Sequence, residues 1–260
     1  MAIDRGLYYT YKRKTNDDQK QRIAEFVVEN YVEDFHAVLL DAGSTVELIA
    51  EEMFKKKIFL TVMTNNMGVY EAYRRVSELA FQGKIPAVER ILPGEAQSIE
   101  VPANYGNYLL LTGGQYVDVY ESLLGDDALH SIDSFTPNLT IIGTSGLSDE
   151  GIFCHGYEES AVKKRLWEKQ TDTCLIVTDW TKIGKRDARA FGRLIELCKV
   201  NGATKATKRV VIVTNLPPDD GSGEVENFKR ALKTLTNKEK GSVLLEVAYV
   251  TRSTNKAENT

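Results

Sequence analysis

The chain has 260 residues, 42% of them hydrophobic and 27% charged, with 33 Lys and Arg against 37 Asp and Glu for a formal net charge of −4. This is an ordinary globular composition, and its acidic balance argues against a free-standing nucleic-acid binder, which needs a basic surface to neutralise phosphates. The three cysteines, Cys154, Cys174 and Cys198, have no CxxC spacing and make a poor disulfide framework, so a reducing, cytoplasmic setting is expected.

At roughly 150 residues per domain the length suits one large α/β domain or two small ones. Met1 to Tyr11 is broken by Asp4, Arg5 and tyrosines and lacks the apolar centre of a signal peptide. The longest charge-free apolar stretch, Tyr108 to Val117, contains Thr112, Gly113, Gly114 and Gln115. It falls well short of the roughly 18 apolar residues of a membrane span.

After a polar start at Lys12 to Asn16, the spacing of Ile23, Phe26, Val27 and Tyr31 predicts a helix over 17–32, capped by Asn16 or Asp17. His36 to Leu40 reads as a buried strand. It runs into the turn Asp41-Ala42-Gly43-Ser44-Thr45 and then a helix through Leu48, Ile49, Ala50, Met53 and Phe54. The same grammar repeats at once: strand 58–63, turn Thr64-Asn65-Asn66, helix 69–79. Two consecutive βα units predict a parallel sheet.

Pro86, Pro93, Pro102, Gly94 and Gly106 punctuate 82–107, which reads as an excursion with one strand at 87–92. A strand at 108–111 ends in Thr112-Gly113-Gly114, and the alternation through 116–124 suits a half-exposed antiparallel ribbon. Further along are a strand at 139–142, a polar turn to Gly151, a helix at 158–169, a strand at 174–178 and a turn at 179–185. A helix at 188–198, a strand at 210–213, a Pro/Gly-rich loop at 214–223, a helix at 225–235, a strand at 243–250 and a polar tail from 252 complete the chain. The expected fold is a Rossmann-like, mostly parallel α/β sheet flanked by helices, with a small antiparallel excursion.

Five apolar strands thus end in small, hydroxylic or amide residues, at 41–45, 64–66, 112–114, 143–146 and 179–184. In a parallel sheet all these ends lie on one side, where open α/β sheets bind ligands. Glycines allow close backbone approach, and each helix start favours a negative group by about 0.3–1 kcal/mol, so an anion such as phosphate is the expected guest. Taken singly each turn has a plainer reading: Ser44 as a helix cap, the glycines as turn formers. GxxxxGK[ST], GxGxxG and HExxH are all absent, which removes the best support for P-loop, dinucleotide and zinc-protease chemistry. Only His36, His130 and His155 are available for metal sites or triads, so no metal or cofactor is expected.

The run Leu40-Asp-Ala-Gly-Ser-Thr45, with Thr61-Val-Met-Thr-Asn65, Gly113-Gly114, Gly125, Ile142-Gly-Thr-Ser-Gly146, Glu159-Ser-Ala-Val-Lys163 and Val177-Thr-Asp-Trp-Thr-Lys-Ile-Gly184, resembles the C-terminal sensor domain of DeoR-type repressors. The resemblance covers about Gln19 to Val250. It implies the Rossmann-like superfamily of ribose-5-phosphate isomerase, glucosamine-6-phosphate deaminase and CoA-transferase, a homo-oligomer, and a phosphorylated sugar or similar small anion as ligand.

Carried over by position, the resemblance assigns Asp41, Gly43, Ser44 and Thr45 to the first ligand loop, and Thr64 and Asn65 to the second. Gly113 and Gly114 would admit close backbone approach, and Gly143 and Ser145 lie in the matching fourth turn. Glu159, Lys163 and Lys182 would supply charged contacts. For Lys163 a solvated helix face beside Lys164 and Arg165 stands as the alternative.

The resemblance departs in two places. Residues 1–16 leave no room for the helix-turn-helix of a repressor, and the cluster Lys12-Arg13-Lys14 reads as a solvated charge run. The expected organisation is therefore an N-terminal segment 1–16, a sensor domain 17–251 with an insertion at 82–107, and a tail 252–260. The function expected is effector sensing without direct DNA binding or membrane contact. The alternative is a sugar-phosphate isomerase or deaminase using a carboxylate base among Asp41, Asp118, Asp179 and Glu159, with Asp118 preferred as an outward-facing residue.

Overall fold

The computed structural model describes residues 11–194, 209–217, 223–237 and 245–250. Residues 11–14 form a helical turn that leads into α1, Asp17–Tyr31. Strand and helix then alternate: β1 Ala37–Leu40, α2 Ser44–Lys56, β2 Thr61–Thr64, α3 Met67–Phe81. An antiparallel pair, β3 Val88–Arg90 and β4 Ile99–Val101, forms the excursion before β5, Tyr108–Leu111. The half-exposed ribbon is β6 Gln115–Val117 paired with β7 Ser122–Leu124, and α4, Asp126–Ser134, follows it.

β8 Leu139–Gly143, β9 Gly146–Ser148, β10 Gly151–Cys154, α5 Tyr157–Glu168 and β11 Thr173–Val177 come next. β12 Arg189–Gly192, β13 Arg209–Asn215, α6 Glu224–Asn237 and β14 Leu245–Val250 complete the described chain.

Seven strands make one parallel sheet in the order β14-β13-β11-β8-β1-β2-β5. Its central strands are near-continuous apolar runs because both faces are covered. Val38 and Leu40 of β1 point to one face, where Ile23 and Val27 of α1, Ile49 and Phe54 of α2, and Val69 and Val76 of α3 pack. Leu39, between them, points to the other, against a layer built from Ile132 of α4, Val162, Leu166 and Trp167 of α5, and Phe228 and Leu232 of α6. The two faces read off a period of two along each strand. Among the described residues no helix is long and apolar enough to cross a membrane.

Several elements differ from the sequence expectation. Asn16 does occupy the N-cap of α1, but with a left-handed backbone (φ 56°) and no capping hydrogen bond. The short helix α4, absent from the sequence expectation, buries Ala128 and Ile132, one turn apart, on its inner face. The expected polar turn before Gly151 is the tight hairpin β9–β10. The helix expected at 188–198 is, over its described part, the strand β12, paired antiparallel with β10. Backbone pairing and packing override helix propensity there: Gly192 lies against Trp167, and a Cβ on it would sit 2.7 Å from the indole.

Thr214 and Asn215, expected in a loop, continue β13 in register with β14. The remainder of the 188–198 helix with Cys198, most of the 214–223 loop, the start of the 243–250 strand and the tail lie outside the described residues.

Because Trp167 is buried, Gly192→Ala overpacks this contact. The expected loss is about 1–3 kcal/mol, read as a lower melting temperature together with a change in tryptophan fluorescence. A wild-type melting temperature would show that β12 yields freely.

Candidate functional site

The order of the sheet reverses between β1 and β8: from β1 the chain moves outward to β2 and β5, then returns to β8 and moves the opposite way. Such a switch point opens a crevice beyond the carboxyl ends of the strands. Asp41, the residue after β1, is wholly buried there. Its Oδ2 accepts from the Gly143 amide at 3.0 Å and from the Lys163 ammonium on α5. Lys163, 2% exposed, also donates to the Gly143 carbonyl at 3.0 Å and lies 3.3 Å from Glu159, one helical turn back. Asp41 Oδ1 makes no hydrogen bond among the described residues.

Above this pair opens a cavity of about 180 Å³. One wall is the start of α2, where Gly43 (φ 131°) bends the chain into the helix and has no side chain to cap it. The first-turn amides of Ser44, Thr45 and Val46 therefore border the cavity with the positive end of the helix dipole. Gly143, Thr144 and Ser145 form a second wall, and Asp179, Thr181 and Lys182 a third. The fourth comes from the N-terminal side: Tyr11, Lys12, Thr15, Asn16 and Lys20.

Lys20 is the residue that sequence reasoning missed. It is 3% exposed, and its ammonium donates to Ser44 Oγ at 3.0 Å and to the Lys12 carbonyl. Its place on α1, three residues before Ile23 and seven before Val27, puts a cation on the core-facing stripe, and that was the legible signal.

Burial dominates the electrostatics. It lowers the Lys20 pKa to about 8, helped by the Lys182 charge and opposed by Asp179 and Asp17. It lowers Lys12 as well. For Lys163 burial works in the same direction, but Asp41 and Glu159 outweigh it and hold the ammonium charged. Burial pushes the Asp41 carboxyl up to about 6 against the pull of Lys163. Asp179 is buried too, yet Lys182 at 3.2 Å and the Thr181 hydroxyl and amide keep its carboxyl below the usual range.

Of the residues singled out from sequence, Gly43, Ser44, Thr45, Gly143, Ser145, Glu159, Lys163 and Lys182 line this cavity, and Asp41 lies directly beneath it. The other four do not reach it. Thr64 is buried, donating to the Leu40 carbonyl at 2.9 Å, and Asn65 bonds to the Leu123 carbonyl at 3.3 Å. Gly113 and Gly114 serve the turn into β6, where a Cβ on Gly114 would meet the Leu124 carbonyl at 2.4 Å. Three of the five strand ends converge, not all five, because β2 and β5 lie on the far side of β1. Their neighbour Asn66 contributes indirectly, its side-chain amide holding the Gly43 carbonyl at 3.2 Å.

Lys163 is not on a solvated face, and the Lys12-Arg13-Lys14 cluster is not a free charge run: Arg13 pairs with buried Glu47 at 2.8 Å. Asp118 does face outward, bonding the Val119 amide at 2.8 Å.

Lys163→Met would leave Asp41 buried without its cation, so a stability loss of about 3–5 kcal/mol is expected in urea unfolding. Adding Asp41→Asn should restore part of it. If the double variant is no more stable than Lys163→Met, charge compensation is not what the pair supplies.

The DeoR C terminal sensor domain model matches residues 15–81 and 99–200, leaving 82–98 between its two segments. The putative aga operon transcriptional repressor of Escherichia coli O157:H7 is 26% identical over 67% of this chain and 54% of its own length. The HTH-type transcriptional repressor GlcR of Bacillus subtilis is 23% identical over 73% of this chain and 61% of its own length. The chain thus spans between half and two thirds of the length of these relatives. Ribose 5-phosphate isomerase A from Methanocaldococcus jannaschii aligns over 95% of this chain and 100% of its own, at 13% identity and a TM-score of 0.37. With the family match extending over well over half of its residues, the chain belongs to the DeoR C terminal sensor domain family.

Proposed function

We propose that this chain is an effector-sensing domain that takes a phosphorylated sugar or related anionic metabolite in the cavity at the β1/β8 switch point. The observation that carries the reading is Lys20: a buried ammonium whose hydrogen-bond partners are a hydroxyl and a carbonyl, beside uncapped amides at the start of α2. An anion there would complete both, with Lys182 as a second cation and Ser44, Thr144, Ser145 and Thr181 as neutral partners. Glu159 offers an acceptor for sugar hydroxyls at the opposite wall.

Of the carboxylates an isomerase could use as base, three are held by a lysine, Asp41 and Glu159 by Lys163 and Asp179 by Lys182, and Asp118 faces outward. That favours binding over turnover. The net acidic balance favours a domain that senses and leaves DNA contact to other residues or partners. Assembly as a homo-oligomer belongs to the same reading. It is supported by the edge strand β5, whose Tyr108, Leu110 and Leu111 are exposed with no blunting charge or proline. A monomer in analytical ultracentrifugation would refute that part.

The test of the function is a thermal-shift screen against phosphorylated sugars, with the parent sugars as controls. A ligand at 100 times its dissociation constant should stabilise the native state by about 2.7 kcal/mol. Lys20→Met or Lys182→Ala should abolish the shift. The Lys20 pKa gives a sign for pH: affinity is full while Lys20 is protonated and weakens as pH rises through about 8. Stabilisation that survives Lys20→Met, or an equal effect of the unphosphorylated sugar, contradicts the reading.

A further inference from the structure

We propose that residues 11–16 are a strap across this cavity, which an anionic ligand displaces by taking over the donors that hold it. The inference rests on the anion-binding reading above and adds its mechanical consequence.

The Lys12 carbonyl accepts from the two groups best placed for an anion, the Lys20 ammonium and, at 3.4 Å, the Ser44 hydroxyl. Two side chains anchor the strap just after that contact. Arg13 reaches Glu47, which is 1% exposed, and Asn16 Nδ2 reaches Asp179 at 3.4 Å from a left-handed backbone that breaks the helix between residue 14 and α1. The same six residues supply Tyr11, Lys12, Thr15 and Asn16 to the cavity wall, so the strap and a ligand meet on one surface.

At Ser44 the competition is stoichiometric. A hydroxyl has one proton to donate, and Ser44 cannot give it to the Lys12 carbonyl and to a phosphate oxygen at once. Lys20 has three protons, two of them directed at Ser44 and the Lys12 carbonyl, and in a buried site its ammonium is drawn more strongly toward an ionised acceptor than toward a neutral carbonyl. Occupancy of the site therefore loosens the chain that enters α1. By reciprocity, anything that loosens that chain tightens ligand binding.

The test is limited trypsin digestion of the full chain, with inorganic phosphate or with sodium chloride at matched ionic strength, following cleavage after Lys12, Arg13 and Lys14 by mass and using cleavage elsewhere as the control. Thermal shift in the same buffers reports binding. Phosphate should raise the melting temperature and speed cleavage at these three bonds about fivefold or more, within the usual range of coupling between sites. Arg13→Gln and Glu47→Gln each undo one anchor. Either should speed cleavage after Lys12 or Lys14 without phosphate, and the second variant serves if one fails to fold. A melting-temperature rise with unchanged or slower cleavage overturns the strap and leaves the binding function standing. No rise and no change in cleavage overturns both.

Discussion

The contact between Asp41 and Lys163 is the constraint on which the site depends. It joins the end of β1, the end of β8 and the inner face of α5 at the one place in the sheet where adjacent strands lead in opposite directions. Past the backbone bond from the Asp41 amide to the Ile141 carbonyl at 3.0 Å, the carboxylate and ammonium bridge the divergence, with the Gly143 amide and carbonyl each taking one end. A buried pair of this kind gains little net stability over apolar packing, because desolvation of both charges offsets their attraction. What it fixes is geometry: with Lys163 bound to Asp41 and Gly143, the floor of the cavity has one arrangement, and the walls above it are set.

The walls follow from that floor. Ser44 and Thr45 begin α2 only two residues after Ala42, so the position of Asp41 dictates where the free amides of the helix face. Asn66, capping α3 through the Gly68 amide at 2.9 Å, also holds the Gly43 carbonyl, and in this way β2 shapes a cavity its own turn does not enter. Neighbouring strands are about 4.8 Å apart, so the end of β5, two strands beyond β1, is set back by roughly 10 Å. That spacing is why the glycines after β5 turn onto the β6–β7 ribbon.

Much of the fold was legible because both faces of the sheet are covered. Runs such as Val-Leu-Leu at 38–40 and Thr-Ile-Ile at 140–142 can be little else than buried parallel strands when a helical pattern follows. Arg189–Gly192 was not legible, since a four-residue strand in a small sheet owes its state to β10 and to the room that Gly192 leaves for Trp167, neither of which is local in sequence. The site was legible at its strand ends and illegible at its lid side. Loop residues such as Ser44 advertise their role by composition, whereas Lys12 and Asn16 act through a carbonyl and a left-handed backbone, which one sequence does not display.

The balance of charge in the cavity is what favours an anion over a neutral sugar in the proposed reading. Four lysines, Lys12, Lys20, Lys163 and Lys182, border it against the carboxylates of Glu159 and Asp179 at the wall and Asp41 below. Lys163 is paired with Asp41 and Glu159, and Lys182 lies against Asp179. Lys20 instead faces a hydroxyl and a carbonyl, and burial lowers its pKa to about 8, so its proton is held less tightly than an ordinary lysine's. A bound anion reverses that condition, stabilising the charged form through a charge-assisted bond in a site of low dielectric. In the proposed reading, binding is coupled to retention of the Lys20 proton and to loss of the Lys12 carbonyl contact, which makes one ammonium group the point where ligand charge and the conformation of the N-terminal segment are exchanged.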